Sequence, residues 1–126
     1  SDGLNHPIYK SKSKKFTTPA FNFDEVVKLP DNSIHLAFNK TNKIQGLAFK
    51  SGNSNIWGLQ YHPEIHYDYM LRLINDRREK LIKKKCFKND EEINYHIQFI
   101  KKERDLLDDD FRLLEIKNWL QNINGN

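Results

Sequence analysis

The sequence predicts an α/β fold with strands first and helices last: short strands and a hairpin over about residues 16–61, then three helices over about 66–123. Two changes of pattern carry that reading. As far as Tyr61 the apolar residues come in short runs separated by turn formers, whereas from His66 onward they recur three and four positions apart, the spacing of one helix face. A length of 126 residues without an internal repeat adds a third constraint. It limits the chain to a single domain, strand-rich over about 1–65 and helical over about 66–126.

Taken in order, Phe21 and Phe23 open the strand region, Leu29-Pro30-Asp31-Asn32 forms a turn, and Ile34, Leu36 and Phe38 alternate as in a half-buried strand. Ile44–Phe49 and Ile56–Tyr61 flank Ser51-Gly52-Asn53-Ser54-Asn55, whose Gly and Asn residues accept the positive φ of hairpin connections. A long helix follows from about His66 to Lys85, with Tyr67, Met70, Leu71, Ile74, Leu81 and Ile82 on its apolar face. Asn89 with Glu92 three positions later has the form of a capping box, so a second helix runs from about Asp90 to Asp105 on Ile93, Ile97 and Ile100. Asp108, Asp109 and Asp110 favour the positive end of a helix dipole and open a third, for which Leu113, Ile116, Leu120 and Ile123 form the expected buried stripe.

Hydrophobic residues at 37% and aromatics at 12% are enough for a packed core, which argues against wholesale disorder despite a charged fraction of 30%. No window approaches the roughly 18 apolar residues of a membrane helix, and the first residues lack the basic and apolar regions of a signal peptide. The expectation is a cytoplasmic protein without membrane contact. Cys86 is the single cysteine, so it has no disulfide partner and builds no multi-thiolate metal site. The net charge of +4 comes from a lysine- and asparagine-rich composition with few arginines, which speaks against a phosphate-reading surface and makes nucleic acid an unlikely partner.

Chemistry concentrates in Gly58-Leu59-Gln60-Tyr61-His62-Pro63-Glu64, where the last predicted strand meets the first long helix. In extended geometry His62 and Glu64 point to the same side, and Pro63 between them fixes φ and gives up an N–H where the strand ends. A carboxylate beside an imidazole selects its tautomer and stabilises the imidazolium, as a general base for a thiol or hydroxyl requires. His6, His35, His66 and His96 lack the paired spacing of metal ligands, and neither a metal nor a cofactor is expected.

The longer string Ile56–Glu64 resembles the final-strand signature of class I glutamine amidotransferases, whose glutaminase domains use a Cys-His-Glu triad with the last two members in a His-Pro-Glu element. Asp24-Glu25-Val26-Val27-Lys28-Leu29-Pro30 is similar to the family's stretch from a His-x-Asp-x-Val motif into a Leu-Pro turn, and Asn5-His6-Pro7-Ile8-Tyr9 to the His-Pro segment before it. The resemblance runs from Asn5 to Glu64; beyond Ile65 only helical character agrees. It implies that the chain is the carboxyl-terminal part of a flavodoxin-like class I glutaminase domain. His62 and Glu64 would be the catalytic residues and glutamine the substrate of the complete domain.

Two departures accompany the resemblance. The family's nucleophile lies on a Gly-x-Cys-x-Gly turn, and no such string occurs here. Cys86 follows Lys83-Lys84-Lys85 without flanking glycines and comes after the histidine, so it does not take that role. Asn22 stands where the family commonly has the histidine of His-x-Asp-x-Val. The chain alone is therefore expected to be inactive, with a missing amino-terminal half carrying the nucleophile as its partner and self-association as a further expectation. The alternative expectation is a non-catalytic interaction module derived from that fold.

Overall fold

The computed structural model describes residues 2–125. It is a small α/β domain. Two 3₁₀ turns, Asp2–Asn5 and Pro7–Tyr9, lead by way of a long irregular stretch into the strands β1 (Ile34–Ala37), β2 (Gly46–Ser51) and β3 (Ser54–Leu59). Five helices follow: α1 (Tyr67–Asp76), α2 (Arg78–Lys83), α3 (Asp90–Leu106), α4 (Asp109–Arg112) and α5 (Leu114–Ile123).

The sheet is an antiparallel meander in the order β1-β2-β3. β2 and β3 pair as far as Ser51 opposite Ser54, so the hairpin loop is only Gly52-Asn53, tighter than the expected five residues. Gly52 sits at φ +57°, the sign that two-residue hairpin loops require at their first central position. Both strands consequently extend into the expected loop, while β2 starts late, at Gly46, and β3 stops early, at Leu59. Between β1 and β2 the register shifts at His35/Ala37, a bulge that leaves Leu36 as the extra residue. Leu36 turns into a small core with Ile8 and Ala48, while Ile34 and Phe38 stay exposed, against simple alternation. The first 3₁₀ turn lies hard on this strand: a Cβ at Gly3 would come within 2.3 Å of the Leu36 carbonyl oxygen, so only glycine fits there.

The expected strand region upstream of Ile34 is a correction, because residues 16–33 contain no strand. Pro19 and Pro30 have no N–H to give a ladder. The segment closes instead on local bonds, Asn22 Nδ2 to the Asp24 carbonyl and Ser33 N–H to the Pro30 carbonyl, with Asn32 at φ +58°.

The helical core is larger and follows the predicted stripes: Tyr67, Met70, Leu71, Ile74, Ile93, Ile97 and Ile100 are buried together. The expected single helix from His66 to Lys85 breaks at Arg77, where φ −115° and ψ 15° leave the helical range. Asn75 and Asp76 are weak helix formers. Arg78 holds the break in place by donating to Asn75, Asp90 and Asn94, which ties the end of α1 to α3. The capping box at α3 forms with Glu92 N–H on Asn89 Oδ1 at 3.0 Å, although the Glu92 carboxylate accepts from Lys88 N–H.

The third expected helix is also divided, at Leu113, and its expected buried stripe is wrong. Glu115 and Asn118 are the buried residues of α5, Leu113 and Ile116 are half-buried, and Leu120 and Ile123 are exposed. The reason is what α5 packs against. It lies on the 3₁₀ turn Pro7–Tyr9, where Asn118 Nδ2 donates to the Ile8 and Lys10 carbonyls at 2.8 and 2.9 Å. Unpaired backbone carbonyls select a polar face, not an apolar one.

Candidate active site

β3 ends at Leu59, and a short segment then leads to α1. Gln60 N–H still bonds the Gln45 carbonyl and His62 N–H bonds the Pro19 carbonyl at 2.8 Å, but the chain bends at Gln60 and Tyr61 and turns at Pro63-Glu64, where Ile65 N–H closes on the His62 carbonyl at 3.2 Å. His62 Nδ1 lies 2.7 Å from Glu64 Oε1, and the two side chains are 33% and 54% exposed. An ionised carboxylate only accepts, so Nδ1 carries the proton in this contact and Nε2 is left for proton exchange. The Phe21 ring stacks on the imidazole at 4.8 Å and 16°. Phe21 thus belongs to the irregular segment, where apolar alternation predicts a strand, and it covers one face of the ring.

Behind the pair lies a buried polar cluster. Tyr61 donates its hydroxyl to Glu115 Oε1 at 2.9 Å and meets the Tyr9 hydroxyl at 3.0 Å. Lys12 Nζ reaches Glu115 Oε2 at 2.9 Å and the Phe111 carbonyl at 2.8 Å, and packs over the rings of Phe16 and Phe111. Burial pushes the Tyr61 phenol well above its usual range, reinforced by Tyr9 and Glu115, and raises Tyr9 to about 12. Burial also lowers Lys12, while the Glu115 carboxylate opposes that effect.

Arg112 completes the setting by donating from NH1 to the Pro63 carbonyl at 2.6 Å. Sequence reasoning reaches neither this residue nor the Glu115 cluster. Glu115 carries one signal, an acidic residue three positions before Asn118 on the face that is buried; Arg112 carries none.

The remaining histidines have structural surroundings. His6 and His66 cap the second 3₁₀ turn and α1 by accepting the N–H of Ile8 and Asp68. His35 bonds the Ala37 carbonyl, and His96 lies between Phe87 and Phe99 with burial lowering its pKa. Among the described residues no cluster of three or more His, Cys, Asp or Glu side chains is arranged to hold a metal. Cys86 is exposed just past α2, and its sulfur approaches the Lys84 carbonyl at 4.0 Å, not a histidine. It does line a cavity of about 400 Å³ with Phe21, Met70 and His96. Among the described residues no helix is long and apolar enough to cross a membrane.

The chain is 29% identical over 139 aligned positions to a gamma-glutamyl-L-1-hydroxyisopropylamide hydrolase of a Pseudomonas species, an alignment covering 98% of this chain and 47% of that protein. It is 35% identical over 60 positions to one of the subunits of the glutamine-hydrolyzing GMP synthase of Methanococcus vannielii, covering 48% of this chain and 31% of that one. No protein-family model and no solved structure matches. The chain is thus similar, at low identity, to hydrolases of the glutamine amidotransferase kind, and it spans about half or less of the length of these curated relatives.

Proposed function

We propose that this chain is the base-supplying part of an enzyme that hydrolyses γ-glutamyl amides, with His62 and Glu64 as two members of a Cys-His-Glu triad. The single observation that carries the reading is the 2.7 Å contact between His62 Nδ1 and Glu64 Oε1 on the segment leaving β3. The named relatives add the substrate class: one acts on a γ-glutamyl alkylamide and the other on glutamine, and both compounds present a glutamate side-chain amide. The alkylamide hydrolase aligns with nearly the whole chain, the synthase with about half, which favours hydrolysis with water as acceptor.

In this reading a cysteine outside these residues gives its thiol proton to His62 Nε2, and the thiolate forms a C–S bond at the amide carbon. His62 passes that proton to the nitrogen as the C–N bond breaks and the amine or ammonia leaves. Water then attacks the thioester, its proton passing through His62 back to sulfur. Glu64 holds the ring tautomer and stabilises the imidazolium in both steps. The complete domain is proposed to be flavodoxin-like, with this chain as its carboxyl-terminal part. Trp119, Leu120 and Ile123, exposed on α5, support contact with the nucleophile-bearing half.

The test compares glutamine with γ-glutamyl isopropylamide in the complete protein and in the 126-residue chain. The complete protein is expected to cleave both, the alkylamide faster, and the chain neither. A complete protein that cleaves neither overturns the reading.

A further inference from the structure

Four backbone torsions lie between the side chains of His62 and Glu64, and the fold limits three of them. The ψ of His62 is confined to the extended region because proline follows, and the φ of Pro63 is locked by its ring. The φ of Glu64 is the next torsion inside the turn that Ile65 N–H closes on the His62 carbonyl at 3.2 Å, and while that bond holds it changes together with the ψ of Pro63 as the peptide between them rotates. The ψ of Pro63 is then the torsion that would swing Glu64 towards or away from the imidazole, and it is reported directly by the direction of the Pro63 carbonyl. Arg112 NH1 donates to that carbonyl at 2.6 Å across 49 residues of sequence, and so limits this third torsion.

The guanidinium is well placed for this. Its side chain is 10% exposed, and Nε and NH2 both donate to Asp109 Oδ1, at 3.2 and 3.1 Å, which turns the fork so that NH1 faces Pro63. Asp108 in turn fixes the α4 turn by accepting the Phe111 N–H at 2.6 Å. A hydrogen bond from a charged donor contributes more than a neutral one, and a short planar fork holds direction as well as distance.

We infer that Arg112 is a positioning residue for the His62–Glu64 pair, setting the Pro63 carbonyl and through it the orientation of the Glu64 carboxylate. The inference rests on the triad reading above, but its test separates the two. Long-range proton–nitrogen correlation spectra of the 126-residue chain, recorded with the imidazole neutral, distinguish the Nδ1–H from the Nε2–H tautomer of His62. The parent is expected to hold Nδ1–H. Glu64→Gln and Arg112→Gln are each expected to lower the ratio of the two tautomers about tenfold, the size of a lost hydrogen bond to a charged group. Arg112→Lys, which keeps a charged donor, should recover part of the ratio. Asn118→Ala, which loosens α5 without touching the motif, should leave it unchanged.

A parent without the Nδ1–H form contradicts the triad reading itself. A parent that has it, loses it in Glu64→Gln and keeps it in a folded Arg112→Gln overturns the role of Arg112 alone, as does an equal loss in Asn118→Ala. If Arg112→Gln does not fold, Asp109→Ala, at a side chain 65% exposed, frees the fork instead; a reduced ratio supports the inference and an unchanged one overturns it.

Discussion

Tyr61 and His62 are neighbours in the chain, and each is bonded to a carboxylate, yet the two carboxylates lie in different media. Glu115, the partner of Tyr61, has a side chain 1% exposed and is closed in by Lys12. Glu64, the partner of His62, is more than half exposed. In the dry cluster a charge is expensive unless every lone pair is met, so the cluster works as a fixed joint between the amino-terminal turn, the strand end and α5. At the open pair, water screens the charge, and the contact adds little to stability but leaves an imidazole nitrogen accessible for proton transfer. Adjacent positions thus divide a buried joint from the open pair to which the proposed chemistry is assigned.

The sharpest way to break this comparison is to remove the buried carboxylate. Glu115→Ala leaves the Lys12 ammonium buried without its counter-charge and the Tyr61 hydroxyl without an acceptor. The expected loss is about 3–5 kcal/mol, measured by denaturant unfolding. A loss below about 1 kcal/mol would mean that water reaches the cluster and that the two regions do not differ.

Alkaline pH probes the same cluster without mutation. Tyr9, raised by burial to about 12, and Tyr61, raised further, keep their protons in the folded state where the unfolded chain has lost them. These raised values therefore cost the fold stability as pH climbs past the ordinary tyrosine value of 10.0, until the folded phenols themselves ionise. Here the unfolded phenols release protons first, so the unfolded state gains on the folded one as pH rises, and the contribution present below 10.0 is lost through the folded values. Lys12, lowered by burial, acts with the opposite sign just below its ordinary 10.5, so one group opposes two and a net fall is expected. Unfolding midpoints at about pH 8 and about pH 11 should show the fall, and Tyr9→Phe should flatten it.

At the open pair the smallest effect is expected: Glu64→Gln should change unfolding stability by no more than about 1 kcal/mol. A change as large as that of Glu115→Ala would make Glu64 a structural residue.

The two regions also differ in how far the sequence reveals them. The pairing of His62 and Glu64 is legible because they lie two positions apart with a proline between, although a turn closed by Ile65 N–H on the His62 carbonyl joins them, and not the extended period-two geometry expected. The helical core is legible for a similar reason, since Tyr67, Met70, Ile74, Ile93, Ile97 and Ile100 repeat along single helices. Glu115 and Asn118 are not, because their partners Lys12, Ile8 and Lys10 lie more than a hundred residues away, and periodicity holds no information about which surface a helix meets. Phe21 misleads because apolar alternation marks a strand only where a neighbouring strand completes the ladder, and Pro19 and Pro30 remove donors on either side.

The most direct test of the central claim is turnover of γ-glutamyl isopropylamide by the complete protein with His62 replaced by alanine, beside Glu64→Gln and Arg112→Lys. With His62 as the proton carrier, His62→Ala should lower kcat by about 10²–10⁴ while Glu64→Gln costs less and Arg112→Lys least. Full activity in His62→Ala would contradict the account, whatever the other two variants do.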